Sequence, residues 1–169
     1  MIRTRMVTAV VSLLSGLLSV LASFAQGPAL RVYAVTRNNV HVVSIRGRDT
    51  IITPERTQVG IGAIKVAKDN RTAGWFVLFK DPDGGSPVAG KLVVWRDGRI
   101  IRSFTADQVF WSWSFAHGAE QVAYHSGPTH GEPNSHCELH DLQTGRLLAS
   151  WDGDLDSSHR PAWTKKLDH

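Results

Sequence analysis

Two segments of the chain indicate its fold most strongly: WSFAHGAEQVAYHSG (113–127) and, after a loop, ELHDLQTGRLLASW (138–151). In both, runs of residues typical of β-strands are joined to residues typical of turns. Similar runs recur between turn signals such as RNN, DPDGG, RDG and QTG, and no sustained helical period follows residue 25. Many short strands at regular spacing predict an all-β sandwich, barrel or propeller. The runs predicted as strands are 30–36, 40–45, 49–53, 74–79, 91–95, 99–104, 121–126, 137–142 and 146–151.

The same stretches belong to an internal repeat. VVWRDGRIIRSF (93–104) aligns with LHDLQTGRLLASW (139–151), which places Gly98 on Gly145. Upstream, VAKDNRTAGWFVLF resembles SFAHGAEQVAYHSG, and VHVVSIRGRDTII is a weaker first copy. The repeat length of about 50 residues lies within the range of propeller blades.

These residues resemble the repeat of WD40-like β-propellers, in particular the TolB-type repeat of exported bacterial proteins. In that family a Ser-Pro-Asp-Gly turn precedes an Ile/Val-Ala-Tyr/Phe strand, and an aromatic-Asp-x-x-Thr-Gly turn closes a later hairpin. Here SFAHG (114–118) replaces the first turn, and His140-Asp141 stands where Trp-Asp is usual, followed by Thr144-Gly145. The resemblance is good across 111–151 and fair across 59–104. It implies a propeller fold, but that fold serves unrelated functions and implies no activity.

Propellers close with roughly 4 to 8 blades, whereas we expect this chain to supply an incomplete array of about three four-stranded blades after an N-terminal signal helix. The expected repeats cover 30–57, 58–107 and 108–157. The segment 158–169 is a candidate to complete the first blade, because 160–167 resembles a blade's first strand. Such an array would leave tryptophan-rich edges open. The sequence therefore predicts either a curved open β structure or self-association of two chains into one ring.

The first 25 residues predict export. MIRTR carries Arg3 and Arg5 without an acid, an apolar run follows, and the small residues before Gln26 fit cleavage after Ala25. We therefore expect a single mature domain over 26–169, secreted or periplasmic, without a membrane span after cleavage; an uncleaved anchor is the alternative. The 19 Lys and Arg residues exceed the 15 Asp and Glu residues only slightly, and no basic block is present. Nucleic acid is therefore excluded as a partner.

HSGPTHGEPNSHCELHD (125–141) predicts a metal site on a hairpin as one hypothesis. Two prolines and two glycines make 126–135 a loop between strands, so His125 and His136 are expected near each other at its base. His130 would hang from the loop between them. Three imidazoles can hold one zinc or copper ion at about 2.0 to 2.1 Å per nitrogen.

A fourth ligand would come from Glu138 or Cys137. His136, Glu138 and His140 share one face of the predicted strand, but the two histidines lie about 13 Å apart along the backbone and cannot both reach one ion without strong bending. The spacing matches no zinc-finger or zinc-protease pattern. The other hypothesis is a hairpin with surface histidines and a buried Cys137, which as the single cysteine cannot form an internal disulfide.

Three loops are candidates for ligand recognition, namely 81–89, 127–135 and 152–159. Their candidate contact residues are Asp81, Asp83, His130, Asp152, Asp154 and Asp156. Neither DPDGG nor DGDLDSSH completes a calcium loop, since position twelve is not Glu in either. Trp111 and Trp113 alternate with serines, so both rings are expected on one strand face, in core packing or as a ligand platform.

The sequence contains no nucleophile elbow and no complete dinucleotide-binding loop. We therefore expect an exported binding or interaction module for a protein or peptide ligand, without catalytic activity and without a cofactor. A metal-binding protein centred on the histidine hairpin is one alternative. A truncated part of a larger exported propeller enzyme is the other.

Overall fold

The computed structural model describes residues 30–35, 40–45, 48–129, 135–153 and 155–167, which form an all-β fold of three antiparallel sheets. Strands adjacent in a sheet are also consecutive along the chain. The first sheet contains β1 (Arg31–Val35), β2 (Val40–Ile45) and β3 (Arg48–Ile52). The second contains β4 (Gln58–Val66), β5 (Thr72–Phe79), β6 (Val88–Arg96) and β7 (Arg99–Phe104). The third contains β8 (Val109–Ala116), β9 (Gln121–Gly127), β10 (His136–Asp141) and β11 (Leu147–Asp152).

The all-β prediction is confirmed, and each predicted run overlaps a strand. The predicted signal segment 1–25 lies outside the described residues. In the described ranges the helices are 3-10 helices at His117–Ala119 and Ala162–Leu167, and neither is long and apolar enough to cross a membrane.

Glycine turns separate the last two strands of both four-stranded sheets. Asp97 and Gly98 have φ values of 49° and 96°, the two consecutive positive values that a tight type I′ hairpin requires. In the third sheet Asp141 accepts hydrogen bonds from the backbone N–H and the hydroxyl of Thr144, while Gly145 has a φ of 78°. These positions are the repeat equivalences that the sequence indicated.

The sheets stack face to face, and the second sheet is buried on both sides. One face carries Trp75 and Trp95 and packs against Leu30, Val32 and Ile52 at the first sheet. The other face packs against the third sheet through a cluster of Phe76, Leu92, Val94, Phe104, Phe110, Trp113, Val122, Tyr124 and Leu142. Burying a tryptophan removes about 150–250 Å² from water, worth roughly 4–6 kcal/mol before entropy losses.

The strand predicted over 160–167 is wrong, because residues Ala162–Leu167 form a 3-10 helix. Pro161 starts this helix, since its carbonyl oxygen accepts hydrogen bonds from both the backbone N–H and the hydroxyl of Thr164. Trp163 and Leu167 pack on the far face of the third sheet together with Ala123, Cys137 and Leu139. The segment therefore covers an apolar sheet face.

The prediction that Trp111 and Trp113 share one face is also wrong. Phe110 pairs with Ser126 and Ser112 pairs with His125, so a β-bulge makes Trp111 an extra residue in β8. The bulge shifts by one residue the alternation of β8 side chains between the two faces of the sheet. Trp113 is then fully buried, with its indole N–H donating to Ala63 O at 2.8 Å, while Trp111 is 52% exposed.

Candidate functional site

The register of β9 and β10 separates the predicted metal ligands onto two faces. His136 lies opposite Ser126, and Cys137 lies opposite His125, so alternation places His125 and His136 on different sides of the third sheet. Cys137 is fully buried under the C-terminal 3-10 helix. Burial lowers the pKa of His125.

The predicted metal shell is therefore not assembled in the part of the chain that the structure describes. His130 lies outside the described residues, and no group of three or more His, Cys, Asp or Glu side chains among those described could hold a metal ion. Of the predicted ligands, the structure brings together His136 and Glu138, whose Nε2 and Oε1 atoms are 2.9 Å apart.

Glu138 is instead the centre of a hydrogen-bond network on the face toward the second sheet. Its Oε2 accepts a hydrogen bond from the hydroxyl of Tyr124 and lies 2.5 Å from His140 Nε2. His136 bridges to the next strand, with its Nδ1 2.6 Å from Asp152 Oδ1. The network thus joins side chains from β9, β10 and β11.

Ionisation within this network follows from its geometry. Burial acts to raise the pKa of Glu138, but hydrogen bonds from Tyr124, His140 and His136 together lower it. Hydrogen bonds to Asp152 and Glu138 raise the pKa of His136. Burial and the contact with Glu138 raise the pKa of Tyr124. We therefore expect Glu138 to be an ionised carboxylate that accepts hydrogen bonds from several donors and so stabilises the contact between β9, β10 and β11.

A groove of about 730 Å³ opens over the network, between it and the segment that leads from β7 to β8. Phe104 forms part of its wall, with its ring centroid 4.8 Å from that of His140. The described residues that line it are Ser103, Phe104, Thr105, Ala106, Asp107, Gln108, Tyr124, Ser126, His136, Glu138, His140 and Asp152. The sequence predicted that His140 shares a strand face with His136 and Glu138 but not that it contacts Glu138, although the alternation His136-x-Glu138-x-His140 was the available signal.

A second, mostly apolar pocket of about 400 Å³ lies where the loop between β5 and β6 meets β8. Asp81 reaches into it from the loop and is 5% exposed. Its Oδ1 accepts a hydrogen bond from the backbone N–H of Asp83 at 3.1 Å. The described lining residues are Ala63, Phe76, Leu78, Asp81, Gly85, Ser86, Pro87, Val88, Ala89, Val109, Phe110, Trp111 and Thr129.

The predicted loop aspartates differ in position. Asp81 lines the apolar pocket and Asp152 lines the polar groove. Asp83 and Asp156 are exposed and line neither cavity, whereas Asp154 lies outside the described residues. The candidate binding surfaces therefore include only some of the residues predicted in the three loops.

A third groove, of about 760 Å³, is lined by arginine side chains for which no sequence motif predicted a role. Arg96 Nε donates to Thr72 Oγ1 at 2.7 Å, and its terminal nitrogen donates to Ala119 O at 2.5 Å. Arg102 donates to the backbone oxygen of Gln143. The bonds to Ala119 and Gln143 tie the second sheet to turns of the third, so both arginines have structural partners.

No protein-family model matches this chain, and no curated protein matches it. Among solved structures it is similar to Kuenenia stuttgartiensis hydrazine synthase, with a TM-score of 0.49 and 15% identity over 74% of this chain and 34% of that one. It is also similar to a crystal structure described as the eukaryotic initiation factor, with a TM-score of 0.45 and 8% identity over 76% of this chain and 33% of that one. The chain spans about a third of the length of these two structures.

Proposed function

We propose that this chain is an exported, non-catalytic binding module built as an incomplete β-propeller-like array. The stacked meander sheets and the repeated turns support the propeller-like assignment. The observation that carries the binding function is the apolar pocket of about 400 Å³ beside the loop between β5 and β6. Ligand pockets occupy roughly 300–1,000 Å³ and combine apolar walls with a few polar groups.

The mechanism is recognition at the ends of stiff sheets. Trp75, Trp95 and Trp113 are almost completely buried, so the scaffold beneath the loops is well packed. A partner protein or peptide then contacts loop side chains and the half-exposed Trp111 without reorganising the sheets. A surface that is already formed lowers the free-energy cost of binding, because little of the chain has to be reordered.

Selection of random peptides displayed on phage against the purified protein tests this function. We expect enrichment of related sequences whose binding weakens in a Trp111→Ala variant, because that side chain is 52% exposed at the pocket. Ile100→Ala is the matched control, as Ile100 is 48% exposed and lies on β7 away from this pocket. Absence of enrichment, or equal weakening by both substitutions, would refute the proposal.

A second candidate function is metal binding by the histidine hairpin, favoured by the contact of His136 with Glu138 at 2.9 Å. A divalent ion would replace the hydrogen atoms that these groups now share. Metal analysis of the purified protein after zinc loading tests it. A stoichiometric ion that is lost in His136→Ala and kept in His159→Ala, an exposed histidine elsewhere, would support it, whereas a metal-free protein would exclude it.

We further propose that two chains associate, because a propeller closes with at least about four blades and the described residues of each chain form three sheets. Light scattering of the purified protein tests this proposal. A dimer supports ring completion between chains, and a compact monomer supports the curved open alternative.

A further inference from the structure

The carboxylate of Asp81 is buried beside the apolar pocket with few partners. The residue is 5% exposed, and its Oδ1 accepts one hydrogen bond, from the backbone N–H of Asp83 at 3.1 Å. In the described part of the chain, Oδ2 has neither a hydrogen-bond donor nor a salt-bridge partner. A carboxylate has about four acceptor positions, and Oδ2 is not fully enclosed by protein, so it can accept a hydrogen bond from a group in the pocket. Asp81 is therefore an acceptor at the pocket for a positive group that the described residues do not supply.

Gly85 preserves the position of this oxygen. A Cβ atom at residue 85 would lie 2.4 Å from Asp81 Oδ2, closer than any real contact of this kind. The carboxylate therefore rests directly against the backbone of Gly85, and a larger residue there would push it away.

The other residues that line the pocket are mostly apolar and suit the hydrocarbon part of a ligand. Phe76, Leu78 and Phe110 form its walls, and the bulge in β8 leaves the Trp111 ring half exposed beside it. Among the described lining residues there is no Lys, Arg or His, so nothing in that lining neutralises Asp81. An aromatic face next to a carboxylate attracts cations through its quadrupole.

We propose that this pocket binds an ammonium or guanidinium group carried on an apolar stem, as in the lysine or arginine side chain of a peptide partner. This inference rests on the proposed binding function and names the chemistry of its ligand. The aliphatic stem of such a side chain packs against the apolar walls while its charged end reaches Asp81 Oδ2. An anionic ligand would meet an uncompensated carboxylate, and a neutral apolar ligand would leave that carboxylate unpaired.

Titration monitored by NMR tests the proposal, with the indole N–H of Trp111 as the reporter and Trp111→Phe to assign it. The probes are the peptides Gly-Gly-X-Gly-Gly with lysine, arginine or norleucine at X, and free n-butylammonium. We expect saturable changes in the chemical shift of this N–H with the lysine and arginine peptides and with n-butylammonium. The norleucine peptide should bind at least about tenfold more weakly than the lysine peptide. Tighter binding of the lysine peptide than of n-butylammonium assigns the site to peptides, and the reverse assigns it to free amines.

Two matched variants test the role of Asp81. Asp81→Asn keeps the oxygen that caps the turn but removes the charge, and we expect it to weaken lysine-peptide binding about tenfold or more. Asp83→Asn removes the same charge from the exposed neighbour and should weaken binding less than about twofold. If Asp81→Asn does not fold, Gly85→Ala displaces the carboxylate and should give the same loss.

Equal binding of the norleucine and lysine peptides, or equal effects of Asp81→Asn and Asp83→Asn, would overturn this inference. The phage selection separates that failure from failure of the binding function. Enriched peptides without basic residues would leave the module intact and refute the cationic ligand. The absence of any enriched peptide would refute both.

Discussion

Glu138→Gln tests the hydrogen-bond network of the third sheet. The substitution keeps the shape of the side chain and removes the negative charge that His140 and His136 contact at 2.5 and 2.9 Å. The His140 contact is largely buried, with side chains 12% and 22% exposed, and a hydrogen bond to a charged group there contributes about 1.5–3 kcal/mol. The side chain of His136 is 38% exposed, so its contact is discounted to about 0–1 kcal/mol.

The expected loss in the free energy of unfolding is therefore about 2 kcal/mol, because the amide oxygen retains one acceptor. With a urea m-value of about 1–3 kcal/mol/M, the midpoint should fall by roughly 1 M. Urea unfolding followed by tryptophan fluorescence measures this change. Glu120→Gln is the control, since that side chain is exposed and takes no part in the network.

The loss in the free energy of unfolding caused by Glu138→Gln should also depend on pH. The pKa of His136 is raised above its usual 6.5, so its stabilising contribution is complete below 6.5 and disappears as the pH rises through the folded value. The pKa of Glu138 is lowered below 4.5, so its contribution is present above 4.5 and disappears as the pH falls through the folded value. The groups facing His136 are Glu138 on β10, Asp152 on β11 and Tyr124 on β9, with Asp107 lining the same groove.

Glu138→Gln should thus cost most between about pH 5 and 6.5, and the loss should decrease, by no more than about 1 kcal/mol, as the pH rises through the folded pKa of His136. Equal losses at pH 5.5 and pH 9, or a loss no larger than that of Glu120→Gln, would refute this account of the network.

Two other substitutions, the second with a control, test the packing of the third sheet. Gly74→Ala should destabilise the chain by about 1–3 kcal/mol in urea unfolding, because its Cβ would lie 2.7 Å from the Trp113 ring; an unchanged midpoint would contradict this packing. Leu167→Ala should speed reaction of the buried Cys137 with a thiol reagent at least about tenfold by loosening the C-terminal 3-10 helix, whereas the exposed Lys166→Ala should not. Equal labelling rates in both variants would mean that this helix does not control access to the thiol.

Strand positions could be predicted from the sequence because local chemistry determines them. The glycine at position 98 permits the positive φ that ends β6, and Asp141 caps the next hairpin with its own carboxylate. The all-β class and the tryptophan-packed cores follow from such turns and from the apolar runs between them. These features depend on residues close together in the chain.

The sheet face on which a side chain lies, and the residue that it contacts on the next strand, could not be predicted in the same way, since both depend on strand register. A shift of one residue reverses every side chain of a strand, and sequence spacing alone did not show that His136 pairs with Ser126 and not with His125. The bulge at Trp111 has the same effect on β8. The sequence indicated Asp81 only as a charged loop position, because the pocket that it lines also needs Phe110 and Trp111 from another sheet.

The C-terminal segment also constrains the proposed association of two chains. Leu167 and Trp163 cover the far face of the third sheet, so stacking another sheet there would require this cover to leave. At the opposite end of the array, Ile51 on β3 is 68% exposed, while its neighbour Ile52 packs against the second sheet. A ring of two chains needs a junction at both ends of each array, so ring completion would require this cover to leave, whereas an open dimer could form without rearrangement through the first sheets, in a symmetric contact. On that basis Ile51→Lys should convert a dimer to a monomer, and Leu148→Lys, at a 37% exposed position on β11, should not.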